Sequence, residues 1–342
     1  NVPKDVNKTI LWRRYIFIWI RYCFWEEFTN HNIDRARELW GRCVDIISKN
    51  PFTFAKVWIE FAKFEIRNNS SDQLLASRKL LGLAIGKTSK NGPKPKLFKY
   101  YIELETRLGE WNRVRKLYER WLELLITNQM LWIPTLIEYV QFENSINEPE
   151  RCVSLYEFGI SLQDDLETND IEQLWYSYID YNNEEMNYNQ SRDVYQRLVR
   201  SIDSVSNWIN YAIFESSIPT EEQLNEFNQS ELDELQVEVT DEHRDATRKV
   251  FKQALNHYQE NQLNEERVLV LEAWLEYERV NGTEQSQHDV ERLHPTITKT
   301  TKLVNNEEVD HVEYDFPSIE PQPPKPNISK FLANAIKFSK ST

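Results

Sequence analysis

The sequence predicts an all-α protein, an α-solenoid of antiparallel helix pairs with about seven repeats. Three observations point there. "WIEFAKFE" at 58–65 sets bulky residues three apart and closes on an acid, and "WIRYCFWE" at 19–26 and "WINYAIFE" at 208–215 repeat the arrangement. A second segment, with arginine three places before a large residue, follows most of these. Gly numbers only 7 in 342 residues, too few for the tight turns of an all-β fold, while an aromatic share of 13% supplies ample material to bury.

The first helix of each unit, helix A, follows from apolar residues at i, i+3 and i+6, which share one helical face. Its first positions are Trp19, Trp58, Phe98, Leu136, Trp175, Trp208 and Leu271, giving steps of 39, 40, 38, 39, 33 and 63. Five steps between 33 and 40 mean an array of supersecondary units rather than one globule. The second positions are Tyr22, Phe61, Tyr101, Tyr139, Tyr178, Tyr211 and Trp274. Glu26, Glu65, Glu105, Glu143, Glu215 and Glu278 close the A helices.

Helix B carries its own signature in "RARELW" (35–40), "ASRKLL" (76–81), "RVRKLY" (113–118), "RCVSLY" (151–156), "QSRDVY" (190–195) and "ATRKVF" (246–251). Arg37, Arg78, Arg115, Arg192 and Arg248 stand three before its large residue. Short polar turns such as "TNHNI" and "RLGE" join A to B in a hairpin, and stacking hairpins covers the face each would leave wet. A buried Trp is worth about 3–5 kcal/mol against truncation and an exposed ion pair about 0–1, so the rings are expected to dominate while Glu–Arg pairs set register. Unit four has Val153 at the arginine position and unit five has Asn182 at the glutamate position. Glu143 and Arg192 are therefore expected to answer each other.

These residues resemble the HAT repeat, the half-a-TPR hairpin, and more closely the crooked-neck family of pre-mRNA splicing factors. The stretches that carry the likeness are "YIFIWIRYCFWEEF", "IDRARELW", "PFTFAKVWIEFAKFEIR", "KLFKYYIELE", "RVRKLYERWLE", "LWYSYIDY" and "VSNWINYAIFE", in family order across about residues 10–283. The resemblance is to the later half of such a protein. It implies an α-solenoid scaffold of the spliceosomal NineTeen complex, nuclear, with other splicing-complex proteins as partners. Scaffolds of messenger 3′-end cleavage or ribosomal RNA processing, and the α subunit of prenyltransferases, are the alternatives.

Departures mark the ends and one insertion. Trp132 lies a turn before the position Leu136 fills, with Pro134 between them, and proline is tolerated near a helix start. An acidic insertion at about 219–242 holds nine carboxylates and is expected as a solvated loop or a dock for a basic partner. The second helix of unit seven is hard to find in "EQSQHDVERLHP", as befits a capping end. The array thus spans 1–283, a polar and Pro-rich linker 284–326, and an amphipathic helix 327–342. That last helix aligns Ile328, Phe331, Leu332, Ala335 and Ile336, and Phe331, Leu332 and Ile336 are candidate partner-binding residues, whether it folds back or enters a partner's groove.

Chemistry finds no foothold. The six histidines show no zinc spacing, no phosphate-binding glycine string or G-x-S-x-G occurs, and Gly82 and Gly86 are expected to allow close helix packing. No cofactor, metal or small-molecule substrate is expected. Cys23, Cys43 and Cys152 fall within helical patterns as small core residues, and apolar runs are too short to span a membrane. A formal charge of -14 opposes nonspecific RNA binding, leaving only local contact through Arg13, Arg14 and Arg21 or the loop with Lys87, Lys90, Lys94, Lys96 and Lys99. A first residue of Asn1, with no signal pattern, suggests a piece of a longer protein.

Overall fold

The computed structural model describes residues 9–48, 54–68, 73–88, 92–162, 168–220, 222–225, 237–304 and 307–317. Seven helix pairs follow in chain order: α1 (Thr9–Phe28) with α2 (Ile33–Ser48), α3 (Ala55–Asn68) with α4 (Gln73–Thr88), α5 (Pro95–Arg107) with α6 (Trp111–Thr127), α7 (Ile133–Ser145) with α8 (Pro149–Ser161), α9 (Thr168–Glu184) with α10 (Tyr188–Ser201), α11 (Val205–Ser217) with α12 (Asp241–Glu260), and α13 (Asn264–Asn281) with α14 (Glu284–Glu291). This is an α-solenoid of helix pairs. The chain divides into two compact units, Asn1–Ser177 and Tyr178–Thr342, with the division inside α9.

The closing acid of helix A also shapes the turn. In three hairpins the carbonyl at that position accepts a backbone N–H five residues on: Glu110 to Glu105 at 3.0 Å, Glu148 to Glu143 at 3.1 Å, and Asn187 to Asn182 at 2.8 Å. Such a bond needs a left-handed residue just before its donor, and Gly109 (φ 70), Asn147 (φ 59) and Met186 (φ 57) supply it. Only the first is free of the Cβ penalty.

Large side chains fill the first unit. Trp12, Ile16, Ile20 and Cys23 of α1 pack in it at 7% exposure or less, as do Trp40 of α2 and Trp58 and Phe64 of α3. Burial pushes the thiols of Cys23 and Cys43 up to about 12, so at neutral pH they are uncharged packing groups. Cys152 is buried as well.

Glycine placement departs from expectation. A Cβ on Gly82 or Gly86 would meet nothing within 4 Å, so neither admits a close neighbour; on Gly159 of α8 it would lie 2.6 Å from Leu136 Cδ2 and 2.9 Å from Leu174 Cδ2. Gly159→Ala is expected to lower stability by about 1–3 kcal/mol through overpacking, whereas Gly82→Ala should raise it by about 0.5–1, both measurable as urea midpoints.

The stretch 284–326, expected to be linker, carries regular structure. Thr283 caps α14 through Ser286 N–H at 3.2 Å, and Val290 is buried. After it, β1 (Thr296–Val304) pairs antiparallel with β2 (Glu307–Asp315), from Thr296 opposite Asp315 to Val304 opposite Glu307. The β-branched run "TITKTTKLV" favours a strand, a signal that the polar character of the region hides. The expected helix 327–342, with Phe331, Leu332 and Ile336, lies outside the described residues.

Candidate functional site

The two sequence signatures meet between hairpins. The large residue of a B helix stacks on the second position of the next A helix: Trp40 on Phe61 (6.1 Å, 10°), Tyr118 on Tyr139 (4.8 Å, 8°), Tyr195 on Tyr211 (5.1 Å, 10°) and Phe251 on Trp274 (5.7 Å, 7°). Beside each ring pair runs an ion pair. Arg37 reaches Glu65 at 2.9 Å, Arg78 reaches Glu105 at 2.6 Å, Arg115 reaches Glu143 at 2.8 Å, Arg192 reaches Glu215 at 3.0 Å and Arg248 reaches Glu278 at 2.7 Å.

The geometry follows from helical spacing. Arginine sits one turn before the ring on helix B, and glutamate one turn after the ring on the next helix A, so both pairs close together. Three of the arginines, Arg78, Arg115 and Arg248, are bidentate. Their carboxylates are fully buried, Glu105, Glu143 and Glu278 each at 0% exposure. They are therefore not the exposed pairs the sequence suggested, and losing one partner strands a buried charge.

The expected Glu143–Arg192 pair is corrected by this register, since Glu143 is held by Arg115 and Arg192 by Glu215. Val153 stands at the arginine position of α8 and Asn182 at the glutamate position of α9. Asn182, fully buried, instead donates to the Tyr178 carbonyl at 3.0 Å. Arginine without its carboxylate would be costly, and so would the reverse.

The last rung is sealed by the capping helix. Glu278 accepts from Arg248, from Trp274 Nε1 at 3.0 Å and from Ser286 Oγ of α14 at 2.6 Å. Burial pushes its carboxyl up, but these hydrogen bonds outweigh burial and hold it at about 2. Its folded pKa is thus below the unfolded value of about 4.3, so its stabilisation is present above that pH and lost as pH falls toward 2. Glu278→Gln should flatten this acid limb in urea midpoints measured from pH 6 to 2.

The remaining positions of the repeat are buried as helix A faces: Phe98, Tyr101, Leu136, Trp175, Tyr178 and Trp208 are all at 9% exposure or less. The first unit differs. Trp19 is half-buried, Tyr22 is 40% exposed and Trp25 is 49% exposed, while Trp12, outside the aligned positions, is buried. Tyr22 occupies the place that takes a ring from a preceding B helix in later units, and no described helix precedes α1. Ile10, Leu11, Phe17, Ile18 and Phe28 are exposed on the same helix, with Arg21 lying 4.9 Å from the Phe17 ring. Among the described residues Glu26, 5% exposed, has no arginine partner, and its side chain is held by Asn30 Nδ2 at 2.7 Å.

A cleft of about 680 Å³ opens at the base of the acidic insertion, lined in part by Met186, Arg192, Pro219, Leu224, Glu242 and His243. In its lining Arg192 is paired with Glu215. Buried His243 faces Thr240 N–H through Nδ1 at 3.0 Å and the Ile218 carbonyl through Nε2 at 2.6 Å, which fixes the tautomer with the proton on Nε2. Histidine here staples the two ends of the insertion, a role its polar surroundings in the sequence concealed. Deleting residues 226–236, which lie outside the described part, should therefore leave helicity unchanged by circular dichroism.

Among the described residues, two of the lysines around this loop are engaged with other groups. Lys87 lies 5.8 Å from the Trp58 ring and Lys99 pairs with Glu138 at 2.5 Å, while Lys90 lies outside the described residues. Among the described residues no helix is long and apolar enough to cross a membrane.

Hairpins joined by a ring stack and a buried arginine–glutamate rung define a HAT-type repeat protein. Residues 12–218 match the family described as "Pre-mRNA-splicing factor Syf1/CRNKL1 C-terminal HAT repeat". Relatives named pre-mRNA-splicing factor CLF1 are 44% identical in Debaryomyces hansenii (98% of this chain, 48% of the relative), 41% in Candida albicans (99% and 49%) and 36% in Yarrowia lipolytica (99% and 47%). The chain belongs to this family of HAT-repeat splicing factors, and spans about half the length of the curated relatives it matches.

Proposed function

We propose that this chain is a non-catalytic scaffold of pre-mRNA splicing in the nucleus, organising protein contacts within the NineTeen complex. The observation that carries the reading is where the signature side chains go. Rings and charges of the repeats are spent on fixing one hairpin to the next, which leaves outward helix surface for partners and ties up the carboxylates and arginines that catalysis would need. The names and extent of the relatives support the splicing assignment.

The outer face of α1 is the contact surface that fits best. Its occupant is a helix of the B type, with a ring for Tyr22 and an arginine for Glu26. Phe17→Ser with Trp25→Ser is expected to leave circular dichroism unchanged, because both side chains are exposed, and to deplete the splicing proteins that co-purify from nuclear extract. An unchanged partner set would remove α1 from the interface, and recovery of cleavage factors in place of splicing proteins would replace the assignment.

A further inference from the structure

We propose that residues 328–336 dock as a helix in the apolar groove between α12 and α13, closing the end of the array from within the same chain. The groove, about 320 Å³, is lined by Leu255, Asn256 and Gln259 of α12, Leu271 and Trp274 of α13, and Leu293 and Pro317, with Lys252 and Arg267 at its margin. This volume sits at the low end of ligand pockets. It admits two or three side chains rather than a whole helix, so the docked helix inserts one apolar edge.

Three features select the chain's own segment as occupant. The tether is short: Pro317 lines the groove, and residues 318–327 reach at most about 35 Å, which places the segment at roughly millimolar effective concentration. The pattern fits, since Ile328, Phe331, Leu332 and Ala335 share one helical face while Lys330 and Lys337 fall on the opposite one. Charge is complementary at the scale of the surrounding chain, although the groove's own charged lining, Lys252 and Arg267, is cationic. Residues 178–326 carry 31 Asp and Glu against 13 Lys and Arg, whereas 327–342 carry three lysines and no acid.

Arg267 supplies a further reason. Its guanidinium lies 3.8 Å from the Phe316 ring, and its buried Nε has no hydrogen-bond partner among the described residues. The last carbonyls of a docked helix, which have no partner of their own, are acceptors for such a donor.

The test uses the full chain with Gln259→Cys on the groove rim and Ser329→Cys on the segment, joined by a short bismaleimide. Cys23, Cys43 and Cys152 are buried and leave the introduced thiols as the reactive pair. A cross-link within one molecule, lost when Phe331→Asp is added, is the expected result. A labelled 327–342 peptide should also bind a chain ended at residue 326 about 100-fold more tightly than the full chain, taking a free affinity near 10 µM against a millimolar tether. No cross-link, a cross-link between two copies, or equal peptide binding to both chains would overturn the proposal.

Discussion

Trp40→Ala is expected to destabilise the first two hairpins by about 3–5 kcal/mol, the usual cost of removing a fully buried large ring. Trp40 has 0% exposure, stacks on Phe61 of the next hairpin at 6.1 Å and meets Phe24 of its own at 5.8 Å. One side chain therefore belongs to two repeats, and its loss opens a cavity that neither can close alone. Trp40→Phe should cost less, because the aromatic stack survives and the indole Nε1, which lacks a hydrogen-bond partner among the described residues, is no longer buried. Alanine and phenylalanine variants compared by urea unfolding give the order.

Arg115→Ala should cost about 3–5 kcal/mol, comparable to the loss of a ring and well above the worth of an exposed pair. Arg115 donates to both oxygens of Glu143, at 2.8 and 2.9 Å, and to Glu148 at 3.1 Å. Glu143 is wholly buried, so without arginine its charge has neither water nor partner. Pairing Arg115→Met with Glu143→Leu should recover much of the loss, since replacing both charges removes the desolvation penalty along with the attraction. A double-mutant cycle that returned additive losses would show the pair to be uncoupled.

Repeat spacing made the helix pairs legible, and the A and B signatures named nearly every residue now found between hairpins. Register was harder. Arginine and glutamate recur about 28 residues apart when the arginine leads, yet the same letters also permit pairing within a hairpin or across a longer gap; only the packing of B onto the next A chooses. The face of α1 was hidden for a different reason. Its sequence is apolar on every side, so periodicity does not say whether Trp12 or Trp19 points inward. His243 gave no motif because its partners are a backbone carbonyl 25 residues away and a threonine of its own cap. The β-hairpin was masked by threonines and lysines that lower hydrophobicity without lowering β-propensity.

The central claim is that each ring is shared between successive hairpins, and native-state hydrogen exchange on Trp40→Ala tests it most directly. Protection should fall in both α1–α2 and α3–α4, on either side of the substituted ring, while α12 and α13 keep theirs. Loss confined to α2, or equal loss along the whole chain, would contradict it.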